Sequence, residues 1–219
     1  MNINSQLLGT TEEHIALNLD VPLHKEAAEA FAYLKKQASE RGFEFSLASG
    51  FRSFERQLKI WNGKASGERP LYDAHGKLLE ANELTNKEKV FAILRWSALP
   101  GASRHHWGTD ADVYDAAALP DGETLQLTVA ETVSGGFFAP MHRWLDSWLP
   151  SSEFYRPYAH DRGGVAPEPW HLSYLPLARS YMSALTADVI YKQIENSNLL
   201  LQREVLANFD EIFQRFIQC

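Results

Sequence analysis

The stretch Ser103-Arg104-His105-His106-Trp107-Gly108-Thr109-Asp110-Ala111-Asp112 sets a histidine seven residues before an aspartate, and Glu168-Pro169-Trp170-His171 sets a glutamate three residues before another histidine. Two histidines and one carboxylate can hold a zinc ion and leave its fourth position to water, which separates a catalytic zinc site from a closed structural one. The remaining Glu168 is the residue type that a metal hydrolase places beside that water as a general base. Gly108 and the preceding Pro100-Gly101 argue against a helix, so the first stretch reads as a loop entering a strand near Ala111–Tyr114. Taken alone, a histidine and an aspartate at this spacing also describe a hydrogen-bonded loop histidine. The joint pattern, three zinc-suited ligands and a spare carboxylate, carries the argument.

Composition narrows the classes. The chain has 219 residues, 45% hydrophobic and 22% charged, which suits one globular domain large enough to bury a core. Its net charge of −7 argues against nucleic acid or an anionic membrane surface as the main partner, because phosphate binding needs a basic patch. The single cysteine, Cys219, allows neither an intramolecular disulfide nor a cysteine-built zinc site, so a metal must sit on His, Asp or Glu. No run approaches the roughly eighteen apolar residues of a membrane span. Met1–Gln6 lacks a basic start followed by an apolar run, and the expectation is a cytoplasmic protein.

Periodicity places the motifs. Residues 22–42 read as an amphipathic helix with Ala27, Phe31, Leu34 and Ala38 on one face and Gly42 as its stop. Phe43–Leu47 alternates as a half-buried strand, and Ser53 is placed to cap a helix carrying Phe54, Leu58 and Trp61. Residues 62–84 are polar and turn-rich and read as a surface insertion flanking the cleft. Thr85-Asn86-Lys87-Glu88 is a capping-box pattern opening a further helix. Residues 140–149 read as a short helix, Tyr158–Pro167 as a loop and Pro169–Leu175 as a strand. From Leu177 to Ile217 the pattern is helical, with a break near Asn196–Asn198. With no repeats and no linker, this is one α+β domain spanning 1–219, its core about 20–176 and its tail about 177–219.

Ser103-x-His105-x-x-Gly108-x-x-x-Asp112 with Glu168-x-Trp170-His171 resembles the signature of the VanY-like zinc D-alanyl-D-alanine carboxypeptidases and dipeptidases, which share a fold with lysostaphin-type enzymes and the hedgehog signalling domain. The resemblance runs from about Phe43 to Tyr174 and includes Ser49-Gly50-Phe51-Arg52-Ser53-Phe54-Glu55-Arg56-Gln57, similar to the family's Ser-Gly-Tyr-Arg-Ser segment. It implies a small central antiparallel sheet with flanking helices, with the C-terminal helical extension lying outside it. It further implies that His105, Asp112 and His171 hold Zn2+ and that Glu168 is the general base. Arg52 would sit by the scissile carbonyl or the terminal carboxylate, where a planar guanidinium suits an oxyanion, and Gln57 and Ser103 would bind substrate by hydrogen bonds. His106 would break the seven-residue match if it bound in place of His105.

Two departures stand out. The family usually has a small residue where this chain has Asp110, which stays open as an alternative ligand, a partner of a ligand or a solvent-facing group. The family often reads Trp-His-x-Arg-Tyr where this chain has Trp170-His171-Leu172-Ser173-Tyr174. The implied substrate is a peptidoglycan-derived peptide ending in D-alanine. The expected cytoplasmic location favours an L,D-carboxypeptidase trimming recycled tetrapeptides over a D,D-carboxypeptidase acting on pentapeptides. A phage-type endopeptidase and a non-catalytic zinc-containing binding module are the further alternatives.

Overall fold

The structure, a computed structural model, describes residues 3–218; Met1, Asn2 and Cys219 lie outside the described residues. Its centre is a four-stranded antiparallel sheet of β1 (Phe45–Ser49), β2 (Asp110–Asp115), β3 (Phe154–Tyr155) and β4 (His171–Tyr174), in the spatial order β1-β2-β4-β3. Side chains alternate between the faces of a strand, so the sheet sorts its residues by parity. Ala111, Val113 and Leu172 point to one face and are fully buried. There they meet Ala27, Phe31, Leu34 and Ala38 of helix α1 (Lys25–Ser39) and Met141 and Leu145 of a helix at Ala139–Trp148. Asp110, Asp112 and His171 have the opposite parity, and that face builds the site.

A second core lies beyond the site. Helix α2 (Phe54–Ala65), whose N-cap Ser53 accepts from the Arg56 N–H, contributes Phe54, Leu58 and Trp61. Helix α3 (Asn86–Trp96) opens with the full Thr85/Glu88 capping box and contributes Val90, Ile93 and Leu94. The Ala139–Trp148 helix is α4, and Leu175–Ala184 after the sheet is α5. Helices α6 (Ala187–Glu195), α7 (Gln202–Ala207) and α8 (Phe209–Ile212) close this core with Ile190, Ile194, Val205, Phe209 and Ile212. Trp61 Nε1 donates to the Leu200 carbonyl at 2.9 Å, so the tail is docked on α2 by polar as well as apolar contacts. Among the described residues no helix is long and apolar enough to cross a membrane.

The structure shifts several expected boundaries. The first strand begins at Phe45, not Phe43, because Phe45 is the residue that pairs with Asp115. Helix α1 starts at Lys25, since Leu23–His24 forms a short two-stranded ladder with Ile15–Ala16. Residues 62–84 are not all loop: α2 runs on to Ala65, and Leu71–Tyr72 pairs with Leu78–Leu79 as a hairpin. The tail is broken twice before residue 202, at Leu185–Thr186 as well as after Glu195. The second break is the one expected near Asn196–Asn198; the first, at Leu185–Thr186, was not expected, and together they let short helices pack against the core that holds Trp61 and Ile93.

Buried imidazoles make stability depend on pH. His142 on α4 is 3% exposed; burial, then the Arg156 guanidinium, push it down to about 4 from the ordinary 6.5. The unfolded chain therefore binds the proton more tightly. The stability held by neutral His142 is complete above about pH 6.5 and is lost as pH falls towards 4. Between pH 7 and pH 4.5 this residue should remove about 2–3 kcal/mol. Urea unfolding of a His142→Leu variant should show a pH dependence shallower by that amount, and an unchanged slope would refute the assignment.

Candidate active site

Parity and register assemble the site. Asp112 is the cross-strand partner of His171, and Asp110 is the partner of Ser173, so all four side chains share one face of the sheet. Between Leu47 and Ser49 the β1–β2 register slips by one residue. That bulge turns Ser49 from the apolar face to the polar one, where its hydroxyl donates to Asp112 Oδ2 at 2.8 Å. His105 comes from a single 3-10 turn, Arg104–Trp107, ended by Gly108 at φ +68°. A Cβ at Gly108 would lie 2.6 Å from the His24 nitrogen, so both the backbone angle and the space require glycine. A Cβ at Gly50 would lie 2.5 Å from the Pro22 carbonyl; that close approach lets the Gly50 carbonyl accept from His105 Nδ1 at 2.8 Å.

The ligand atoms left over are those a metal ion needs. With Nδ1 committed to Gly50, His105 presents Nε2, 3.5 Å from Asp112 Oδ2. His171 donates from Nε2 to Asp110 Oδ2 at 2.9 Å, which leaves Nδ1 facing Asp112 Oδ1 at 3.2 Å. Both His171 Nδ1 and Asp112 Oδ1 are buried without a hydrogen-bond partner. One ligand atom from each of His105, Asp112 and His171 lies within 4.8 Å of the others. Burial pushes His105 down to about 3, against the pull of Asp112, so its imidazole is neutral and its lone pair free. Asp112 is held well below the ordinary carboxylate range: burial opposes its charge, but the adjoining His105 and His171 imidazoles outweigh it. These residues fit a divalent cation, and the nitrogen-rich donor set suits zinc.

Asp110 is resolved by its contacts. It is fully buried, its Oδ2 takes the His171 proton, and its Oδ1 accepts from Thr109 at 2.7 Å and Ser173 at 2.9 Å. Arg104 donates to Asp110 Oδ2 at 2.7 Å and to the hydroxyls of Tyr155 and Ser173, also at 2.7 Å. Asp110 thus fixes the tautomer and ring orientation of a ligand. The two departures from the family pattern, at positions 110 and 173, are cross-strand neighbours joined by a hydrogen bond. Ser173 Oγ donates to Asp110 and accepts from Arg104, which supplies a guanidinium from the adjoining turn. His106 is not among the facing ligands. Its Nδ1 donates to the Arg52 carbonyl at 2.6 Å and its Nε2 accepts from the Gly101 N–H at 3.0 Å, which anchors the Arg52 segment.

A cavity of about 230 Å³ opens over this cluster, lined by Arg52, Ser103, His105, Asp112, Glu168 and His171 together with Trp96, Ser97, Tyr158 and Trp170. Glu168 Oε2 lies 3.5 Å from His171 Nδ1, and burial pushes its carboxyl up to about 7. Arg52 Nη1 donates to Gln57 Oε1 at 2.9 Å, and Nη2 reaches Ser49 Oγ at 3.4 Å. Gln57 is fully buried and donates to the Ala98 carbonyl at 2.7 Å; it braces Arg52 from behind and does not line the cavity. Sequence reasoning missed Ser49, Arg104, Trp96, Ser97 and Tyr158. Ser49 and Arg104 lay inside recognised motifs without being assigned a role; Trp96, Ser97 and Tyr158 come near the ligands through chain crossings that no spacing records.

Known proteins agree with this geometry. Residues 20–177 match the model of the VanY family, D-alanyl-D-alanine carboxypeptidase. An uncharacterised protein of Haemophilus influenzae is 34% identical over 121 residues, covering 54% of this chain and 92% of its own. Among solved structures, a mutant of the vancomycin-resistance D,D-pentapeptidase VanY in complex with Zn(II) superposes with a TM-score of 0.51 at 21% identity, covering 89% of this chain and 92% of that one. The LD-carboxypeptidase LdcB superposes at 0.54 and 21% identity, covering 88% and 77%. Those two likenesses bear on the fold alone, whereas the family match takes in all three facing ligands, Glu168 and Arg52. The protein belongs to the VanY family of D-alanyl-D-alanine carboxypeptidases, and it is a metallocarboxypeptidase.

Proposed function

We propose that this protein is a zinc L,D-carboxypeptidase that removes the terminal D-alanine from peptidoglycan tetrapeptides in the cytoplasm, during cell-wall recycling. The observation that carries the zinc hydrolase reading is the pair of buried, unpartnered atoms His171 Nδ1 and Asp112 Oδ1, facing each other beside Glu168. Family membership supports a peptide ending in D-alanine. The net charge of −7 offers no attraction to an anionic wall polymer and supports action on soluble fragments. A cytoplasmic enzyme that cut pentapeptide precursors would undo wall synthesis, whereas trimming tetrapeptides would not.

His105, Asp112 and His171 would hold the ion, which when bound would lower the pKa of a water towards about 7 and polarise the scissile carbonyl. Glu168 takes a proton at its carboxylate and returns one to the leaving amine. Arg52, fixed by Gln57 and Ser49, presents its guanidinium to the developing oxyanion or to the terminal carboxylate of the substrate. Trp170 and Tyr158 wall the cavity, and Ser103 offers a hydroxyl within it.

Mass spectrometry of the zinc-loaded protein with tetrapeptide and pentapeptide side by side tests the assignment. Loss of one alanine from the tetrapeptide alone is expected. Loss from the pentapeptide alone would make this a D,D-carboxypeptidase, and cleavage of neither with zinc bound would overturn the enzymatic reading of the substrate.

A further inference from the structure

Lys64 stands between the metal cavity and a second groove. It lies in the last turn of α2, and its Nζ donates to Ser97 Oγ at 2.6 Å. Ser97 lines the metal cavity together with Arg52 and Glu168. Lys64 itself lines an adjoining groove of about 640 Å³, and Trp96 and Leu127 wall both spaces. The outer wall of the groove is the turn of the 71–79 hairpin, at Tyr72, Ala74, His75 and Gly76, which Trp96 fastens by donating from Nε1 to the Asp73 carbonyl at 3.0 Å. The other cation of the groove, Arg95, is already paired with Asp161. Lys64 has no carboxylate within ion-pair distance among the described residues, and Ser97 is its hydrogen-bond partner.

That arrangement is costly without a ligand. Burial, then Arg69, push the ammonium down to about 8, with Glu168 opposing, so it remains mostly charged at neutral pH. An ammonium has three donors, and a hydroxyl satisfies one of them. A largely desolvated cation with donors to spare favours an anion that enters with the substrate. Arg52 serves the reacting carbonyl or the terminal carboxylate, which leaves Lys64 for a different one.

We propose that Lys64 is a specificity-determining residue that selects peptides whose third residue carries a side-chain carboxylate, as meso-diaminopimelate does, over peptides with lysine there. The inference rests on the peptidoglycan-peptide reading above and deepens it. Both side chains end in an ammonium; lysine offers Lys64 that charge alone, whereas diaminopimelate adds a carboxylate on the same carbon, which can take the free donors of Lys64.

The test uses the zinc-loaded protein with tetrapeptides and pentapeptides that differ only in the third residue. Wild-type kcat/KM should favour the diaminopimelate member by about 10- to 100-fold, the range of a charge-assisted hydrogen bond. Lys64→Met should bring that ratio towards one, chiefly by raising KM for the diaminopimelate peptide, and Lys64→Arg should retain a preference. A merely structural role, or an effect through Glu168, would lower both peptides by the same factor and leave the ratio unchanged, which would overturn the proposal. So would a wild-type ratio near one. If neither peptide length is cut, the reading of the substrate fails separately; the ratio is then read as Kd by calorimetry on zinc-loaded Glu168→Gln protein, where equal affinities overturn the role of Lys64.

Discussion

Glu168→Gln is expected to lower kcat by about 10²- to 10⁴-fold while the protein keeps its metal. The amide matches the carboxylate in shape but cannot accept the proton, and Glu168 is not one of the three facing ligands. His105→Ala, by contrast, removes a nitrogen of the triad and should abolish both metal retention and turnover. The asymmetry is the informative result. Metal content measured by mass spectrometry, set beside single-turnover hydrolysis, separates the two roles. Near wild-type turnover in Glu168→Gln would assign the base elsewhere, and loss of metal in that variant would make Glu168 a ligand.

Asp110→Ala should produce the second large effect, and on two quantities at once. Removing the carboxylate frees the His171 ring that it orients, for which a loss of about 10- to 100-fold in metal affinity is typical. It also strands Arg104, whose side chain is 10% exposed and whose strongest partner is Asp110. Breaking a buried pair from one side costs about 3–5 kcal/mol. Burial opposes the charge on Arg104, yet Asp110 and the nearby tyrosines hold the guanidinium above its ordinary range. The Arg104→Met, Asp110→Ala double variant should recover much of the stability without recovering the metal affinity, since the first loss is an unpaired charge and the second a misdirected ligand. Denaturant unfolding and zinc titration against a competing chelator report the two effects. If metal affinity in Asp110→Ala equals that of the parent, Asp110 does not orient His171.

The comparison of sequence with structure turns on a few residues. The capped starts of α2 at Ser53 and α3 at Thr85 were readable because capping is chemistry between residues three apart. The shift of β1 by two residues was not readable, because its bounds are set by which β2 residue lies opposite Phe45. Asp110 and Asp112 share a strand face by parity, and the seven-residue spacing from His105 favours Asp112 as the ligand. That spacing leaves the role of Asp110 open, and its contacts decide it: Asp112 faces the unpartnered His171 Nδ1, and Asp110 binds the opposite nitrogen. His105 and His106 differ in the same way, by what their ring nitrogens meet.

The sequence by itself determined the local chemistry of this protein: the two ligand-bearing stretches, the helix caps, the glycine at position 108 and the absence of any need for cysteine. Each is a property of neighbouring residues and is carried by spacing. Chain packing set which ring nitrogen of each histidine faces inward, the hydrogen bond of Ser173 to Asp110, the bulge that turns Ser49 towards Asp112, and the meeting of Lys64 with Ser97. These depend on distances between residues that are far apart in the chain, and those distances are set when the sheet and the two helical cores pack.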